Sequence, residues 1–158
     1  MLISLTSEGD SLLFTGVINT NGGGFASCRS DKSVQRFFVP EGATQVVLSV
    51  RGDGLQYKLM LSDGSRGGPQ SPTPTYQLDF TPADIPFEEV SLPLSSFLPS
   101  FGGRPSARPS SPLPPLRKKA VTTQGFMLSL KTSSGEPNTS YKEESFPFLL
   151  EVRHLRFE

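Results

Sequence analysis

Apolar and polar positions alternate in short runs along this chain, and the runs are separated by clusters of glycine, proline, serine and asparagine. The clearest run is 45–51, where Val46, Leu48 and Val50 step by two with Ser49 and Arg51 opposite. That period is the mark of a half-buried strand. After Gly52, Asp53 and Gly54 the alternation resumes over 55–62, with Tyr57, Leu59 and Leu61 on one side and Lys58 and Ser62 on the other. Two alternating runs joined through Asp-Gly predict a β-hairpin. Strands are also predicted within 11–20 (Phe14, Val17, Ile18), 75–80 (Tyr76, Leu78, Phe80), 87–94 and 125–131 (Phe126, Leu128, Leu130). The last run, 146–157, carries Phe148, Leu150 and Val152, then resumes at Leu155 and Phe157. Its slip of one at Arg153 and His154 predicts a β-bulge. No segment keeps a helical period over three turns.

Composition supports this picture. Fifteen prolines and 15 glycines among 158 residues would cut helices into fragments, but both fit the turns of an all-β chain. The length suits one domain, 1–158. Formal net charge is zero and charged residues make up 19%, which leaves no electrostatic footprint for nucleic acid. Cys28 is the single cysteine, so no intramolecular disulfide exists and no disulfide-linked partner is expected. A reducing compartment fits that usage. No run of 18 apolar residues crosses a membrane, and residues 1–10 read as neither a signal nor a transit peptide.

Charge is unevenly placed. Between Ser71 and Ser100 lie four acids (Asp79, Asp84, Glu88, Glu89) and no base. Between Phe101 and Lys119 lie five bases, Arg104, Arg108, Arg117, Lys118 and Lys119, with five prolines and no acid. This reads as a basic, proline-rich loop over 101–124, either a docking arm for an acidic partner or lipid headgroups or a solvated insertion. A second polar stretch, 132–145, reads as a mobile loop before the last strand.

Taken in order, four blocks resemble the complex I intermediate-associated protein 30 family. They are Phe14 to Arg29 with its Gly22-Gly-Gly24 turn, Leu48 to Lys58 around Gly52-Asp-Gly54, Tyr76 to Phe80 leading to Val90–Phe97 and Gly103-Arg104, and Pro147 to Leu155. Two positions depart from the family pattern, and the stretches 104–124 and 132–145 are atypical of it. Leu55 stands where an arginine usually follows Gly-Asp-Gly, and with no tryptophan in the chain Phe87 takes the place of the one that often precedes the Val-x-Leu-Pro block. The resemblance implies a galactose-binding-like jelly-roll β-sandwich with long Pro/Gly-rich loops. It also implies an accessory or assembly factor that binds protein subunits of a membrane-bound respiratory or photosynthetic complex. Such a protein is expected in the mitochondrial matrix or plastid stroma, peripheral to the membrane, with no cofactor.

The residues themselves offer little for catalysis. His154 is the only histidine and lies in the last strand, so we read it as a packed or hydrogen-bonded structural residue. Cys28 reads as a small buried hydrophobe. One histidine and one cysteine make no zinc site of recognisable spacing, and Asp53 reads as a turn residue bonding nearby amides. Gly22, Gly23 and Gly24 lack the lysine and helix of a phosphate loop. Asn138-Thr-Ser140 is a formal glycosylation sequon without a secretory context. The alternative reading, a carbohydrate-binding module, suffers from the absence of tryptophan and from the placement of Tyr57 and Tyr76 within strands.

Overall fold

A computed structural model of the chain describes the backbone of residues 3–8 and all of residues 11–30, 39–63, 75–100, 115–117, 121 and 123–158. Ten strands follow in chain order: β1 (Ile3–Glu8), β2 (Ser11–Asn19), β3 (Ala26–Arg29), β4 (Gln45–Gly52), β5 (Tyr57–Ser62), β6 (Thr75–Phe80), β7 (Glu88–Pro93), β8 (Leu98–Ser100), β9 (Thr123–Leu128) and β10 (Ser145–Phe157). Among the described residues the only helical pieces are two single 3-10 turns, Thr20–Gly22 and Leu94–Ser96. The strands form two five-stranded antiparallel sheets, ordered β1-β2-β10-β4-β7 and β3-β9-β5-β6-β8. The expected all-β sandwich is the observed architecture.

The alternating positions meet between the two sheets. Phe14, Ile18, Val46, Leu48, Val50, Phe148 and Leu150 come from the first sheet. Tyr57, Leu59, Leu61, Tyr76, Phe126 and Leu128 come from the second, and all thirteen belong to one buried cluster. The Phe14 and Phe148 rings lie 4.9 Å apart across the β2–β10 pair. Each such side chain removed from water contributes about 1.5–3 kcal/mol, so the two apolar faces are what hold the sheets together. The bulge is where the slip in β10 placed it. Val152 pairs with Val50 and His154 with Ser49, so Arg153 is the extra residue, and Leu155 and Phe157 return to the core side.

One expectation is corrected. The runs 45–51 and 55–62 are not a hairpin, because β4 and β5 lie in different sheets and face each other across the core. The connecting amides do not close a two-strand ladder. Gly52 N–H donates to Ala83 O at 2.8 Å and Gly54 N–H to Pro82 O at 3.2 Å, so the chain turns a corner against the segment after β6. The polar stretch 132–145 is hydrogen-bonded to itself and to the sandwich. Lys131 bridges Pro137, Thr132 N–H donates to Glu136 O, and the Tyr141 hydroxyl donates to Gly24 O at 2.7 Å. Asn138 fastens it further, its Nδ2 donating to Gln56 O and Ser129 O at 3.0 Å each while Oδ1 accepts from Ser140 N–H.

Candidate functional site

The first sheet has an outward face as well as a core face. Register puts Glu151 of β10 between Leu13 of β2 and Arg51 of β4. Arg51 Nε donates to Glu151 Oε2 at 2.6 Å, and the Ser11 hydroxyl donates to Oε1 at 2.9 Å. Over this row lies the segment 81–87 between β6 and β7. It is stitched to the β4 corner by the Gly52 and Gly54 bonds, and its Ala83 N–H donates to Glu88 Oε1 at 2.7 Å. The approach is close enough to require glycine. A Cβ at Gly52 would stand 2.5 Å from Pro82 Cγ.

Segment and sheet enclose an open cleft of about 560 Å³, lined by the apolar Leu13, Ile85 and Leu149 and by Ser11, Arg51, Asp84 and Glu151. Ile85 is 77% exposed, the highest value among the large apolar residues described. Phe87, two residues beyond Ile85 in the chain, carries two cations. The Arg153 guanidinium carbon is 3.8 Å from its ring centroid and that of Arg51 is 4.9 Å away. Such stacking fixes the plane of a guanidinium and leaves its N–H edge available.

The electrostatics suit recognition rather than proton transfer. Burial works to raise the Glu151 pKa, but hydrogen bonds from Ser11 and Arg51 and the charges of Arg51 and Arg153 outweigh it and hold the carboxyl below its ordinary value. Glu151 is therefore an ion-pair partner at neutral pH and holds no proton for general acid catalysis.

A second hub sits at the corner. Asp53 accepts from Leu55 N–H at 3.1 Å, as expected of a turn residue. It also accepts from the Tyr57 hydroxyl at 2.9 Å and from Leu149 N–H at 2.7 Å, so one carboxylate ties β5 in one sheet to β10 in the other. Burial, and then the nearby Asp53 charge, push the Tyr57 hydroxyl far above its ordinary pKa. A smaller hollow of about 320 Å³ opens beside it between Asp53, Leu55, Ser140, Lys142 and Phe146.

The residues weighed for catalysis do not converge. Cys28 lies on β3, half-buried against the core, and burial pushes its thiol up, away from the reactive thiolate. His154 lies on β10 of the other sheet and is exposed, not packed as expected. Among the described residues no group of three or more His, Cys, Asp or Glu side chains is arranged to hold a metal ion.

Of the basic arm, Arg104, Arg108, Lys118 and Lys119 lie outside the described residues. Arg117 is held against the sandwich. Its backbone N–H donates to Asp63 Oδ2 at 2.8 Å and its Nη2 to Asp63 O at 2.9 Å, while the Asp63 side chain is fully buried. The cleft residues were not singled out for function by pattern. Arg51 was legible as an outward polar position and Arg153 as part of the bulge, Phe87 only as a large residue in a special place, and Glu151 was not singled out.

Comparison with family models matches residues 3–152 to complex I intermediate-associated protein 30. The chain belongs to that family. The complex I intermediate-associated protein 30 match takes in every strand of both sheets, ending within β10, and includes the Asp53 corner and the cleft residues from Ser11 to Glu151. The family is associated with complex I assembly. No curated protein matches the chain as a relative. Among the described residues no helix is long and apolar enough to cross a membrane.

Proposed function

We propose that this chain is a non-catalytic accessory or assembly factor that binds subunits of a membrane-bound electron-transfer complex. The observation that carries this reading is the family match across 3–152, which covers both sheets and the cleft. In this reading the protein works in the mitochondrial matrix or plastid stroma, peripheral to the membrane. It docks through the outward face of the first sheet and through the basic residues Arg104, Arg108, Arg117, Lys118 and Lys119. The ion-paired Glu151 and the separation of Cys28 from His154 favour binding over chemistry. Sugar binding is disfavoured because Tyr57 and Tyr76 are fully buried, which removes two rings that a sugar would stack on.

The test is affinity purification of the tagged full chain from detergent-solubilised mitochondrial or plastid membranes, with quantitative mass spectrometry of what is retained. Respiratory or photosynthetic subunits enriched over an unrelated bait are expected. Recovery of the bait alone refutes the assignment. Charge reversal at Arg104, Arg108, Lys118 and Lys119 is expected to weaken that association and its salt dependence. Arg117 is spared in this variant because its loss would leave the buried Asp63 carboxylate without its guanidinium.

A further inference from the structure

We infer that the Arg153–Phe87–Arg51 clamp and the adjoining cleft bind a carboxylate-bearing, otherwise apolar segment of a partner protein. The inference rests on the binding role proposed above and names the chemistry that this face would read. Its first support is Arg153. Its guanidinium carbon stands 3.8 Å from the Phe87 ring centroid, and among the described residues no hydrogen bond or ion pair engages its N–H groups. A guanidinium held over a ring has less freedom left to lose, and its fork of donors matches a carboxylate in bidentate geometry.

The local charge count points the same way. Two guanidinium groups approach one ring, and among the described residues the single carboxylate bonded to either is Glu151, on Arg51 Nε, so Arg153 is the cation at the ring that lacks a bonded carboxylate. An incoming carboxylate completes the pairing. Asp84 and Glu151, which both line the cleft, oppose an acid inside it. The carboxylate is thus steered to Arg153, and the space between Leu13, Ile85 and Leu149 is left for an apolar side chain. Ile85 at 77% and Leu149 at 39% exposure are apolar surfaces that such a neighbour would cover.

Other ligand classes fit less well. A polyanion such as nucleic acid would meet Asp84 and Glu151 beside a single unpaired guanidinium. A sugar would find the Phe87 ring already engaged by two cations.

The experiment is an NMR titration of the full-length, nitrogen-15-labelled chain with three blocked tripeptides, acetyl-Leu-Glu-Leu-amide and its Gln and Lys counterparts. Saturable shifts are expected at Arg153 Nε–H and at the amides of Ile85 and Leu149. The Glu peptide should bind about fivefold more tightly than the Gln peptide, the scale of one charge-assisted pair on a partly exposed surface. Arg153→Gln should abolish that preference with an unchanged circular dichroism spectrum, whereas Ile85→Ser should weaken both peptides alike. Equal binding of Glu and Gln peptides, preference for the Lys peptide, or shifts mapping elsewhere would each overturn the inference. The outcome is independent of the affinity purification. Peptide discrimination without recovered subunits refutes the assembly role alone, and recovered subunits without discrimination refute the clamp alone.

Discussion

Replacing Asp53 by alanine removes the acceptor that joins the two sheets at the β4–β5 corner. Three donors lose their partner: Leu55 N–H, the Tyr57 hydroxyl and Leu149 N–H. Their costs differ with burial. Leu149 is 39% exposed and Leu55 is partly exposed, so water reaches the neighbourhood of both amides. Tyr57 is fully buried, and its hydroxyl exchanges a charged acceptor for none. A hydrogen bond to a charged group is worth about 1.5–3 kcal/mol, and stranding a buried donor costs about 1–3 kcal/mol. We expect Asp53→Ala to destabilise the protein by about 2–3 kcal/mol, or about 5–10 °C in Tm for a chain of this size. The chain has no tryptophan, so urea unfolding is best followed by far-UV circular dichroism. Tyr57→Phe should cost about 1 kcal/mol, because the exposed Asp53 rehydrates once its buried donor is gone. In that background Asp53→Ala should cost at least about 1 kcal/mol less than it does alone. A loss under about 0.5 kcal/mol, or the same loss in both backgrounds, would show that the carboxylate is a local turn residue and no tie between sheets.

Asn138→Ala should cost about 2–4 kcal/mol in the same unfolding assay, because the side chain is 5% exposed and satisfies two carbonyls and an amide. Thr139→Ala, at the exposed neighbouring position, should stay within about 0.5 kcal/mol of the wild type. Burial and the Asp53 charge raise the Tyr57 pKa above its ordinary value of 10.0, and burial raises that of Tyr141. The unfolded chain therefore loses these protons first, so stability is whole below about pH 10 and falls as pH rises beyond it. Urea midpoints measured from about pH 8 to 11 should show that fall, shallower in Tyr57→Phe. A slope indifferent to the substitution would remove Tyr57 as its source.

Much of the fold is written locally. Val46, Leu48 and Val50 announce β4 because side chains on a strand alternate between its faces, and half of that face is core. The same rule exposes the bulge, since one extra residue at Arg153 is the only way for both Val152 and Leu155 to turn inward. Nothing in the alternation marks β1 or β8. β8 is three residues with a central proline, and its partner β6 alone makes it a strand.

The cleft shows the same division. Arg51 is readable as an outward position, yet it meets Glu151 only because β4 lies beside β10, 100 residues away along the chain. Phe87 becomes a platform only once the 81–87 segment is drawn over the sheet by bonds to Gly52 and Gly54. The basic charge of 101–119 remains a statement of composition, apart from Arg117, which the fold assigns to the buried Asp63.

Alternation and turn residues were thus enough for the longer core strands, for their core faces and for an all-β chain, because these depend on neighbours within a few residues. The partition of strands between sheets was beyond them. Asp-Gly serves a hairpin and a corner equally well, and the choice fell to Pro82, Ala83 and Leu149, which take up the bonds of the corner from distant parts of the chain. The clamp on Phe87 has the same origin, since its two arginines and its ring share a surface only once β4, β7 and β10 lie side by side in the first sheet.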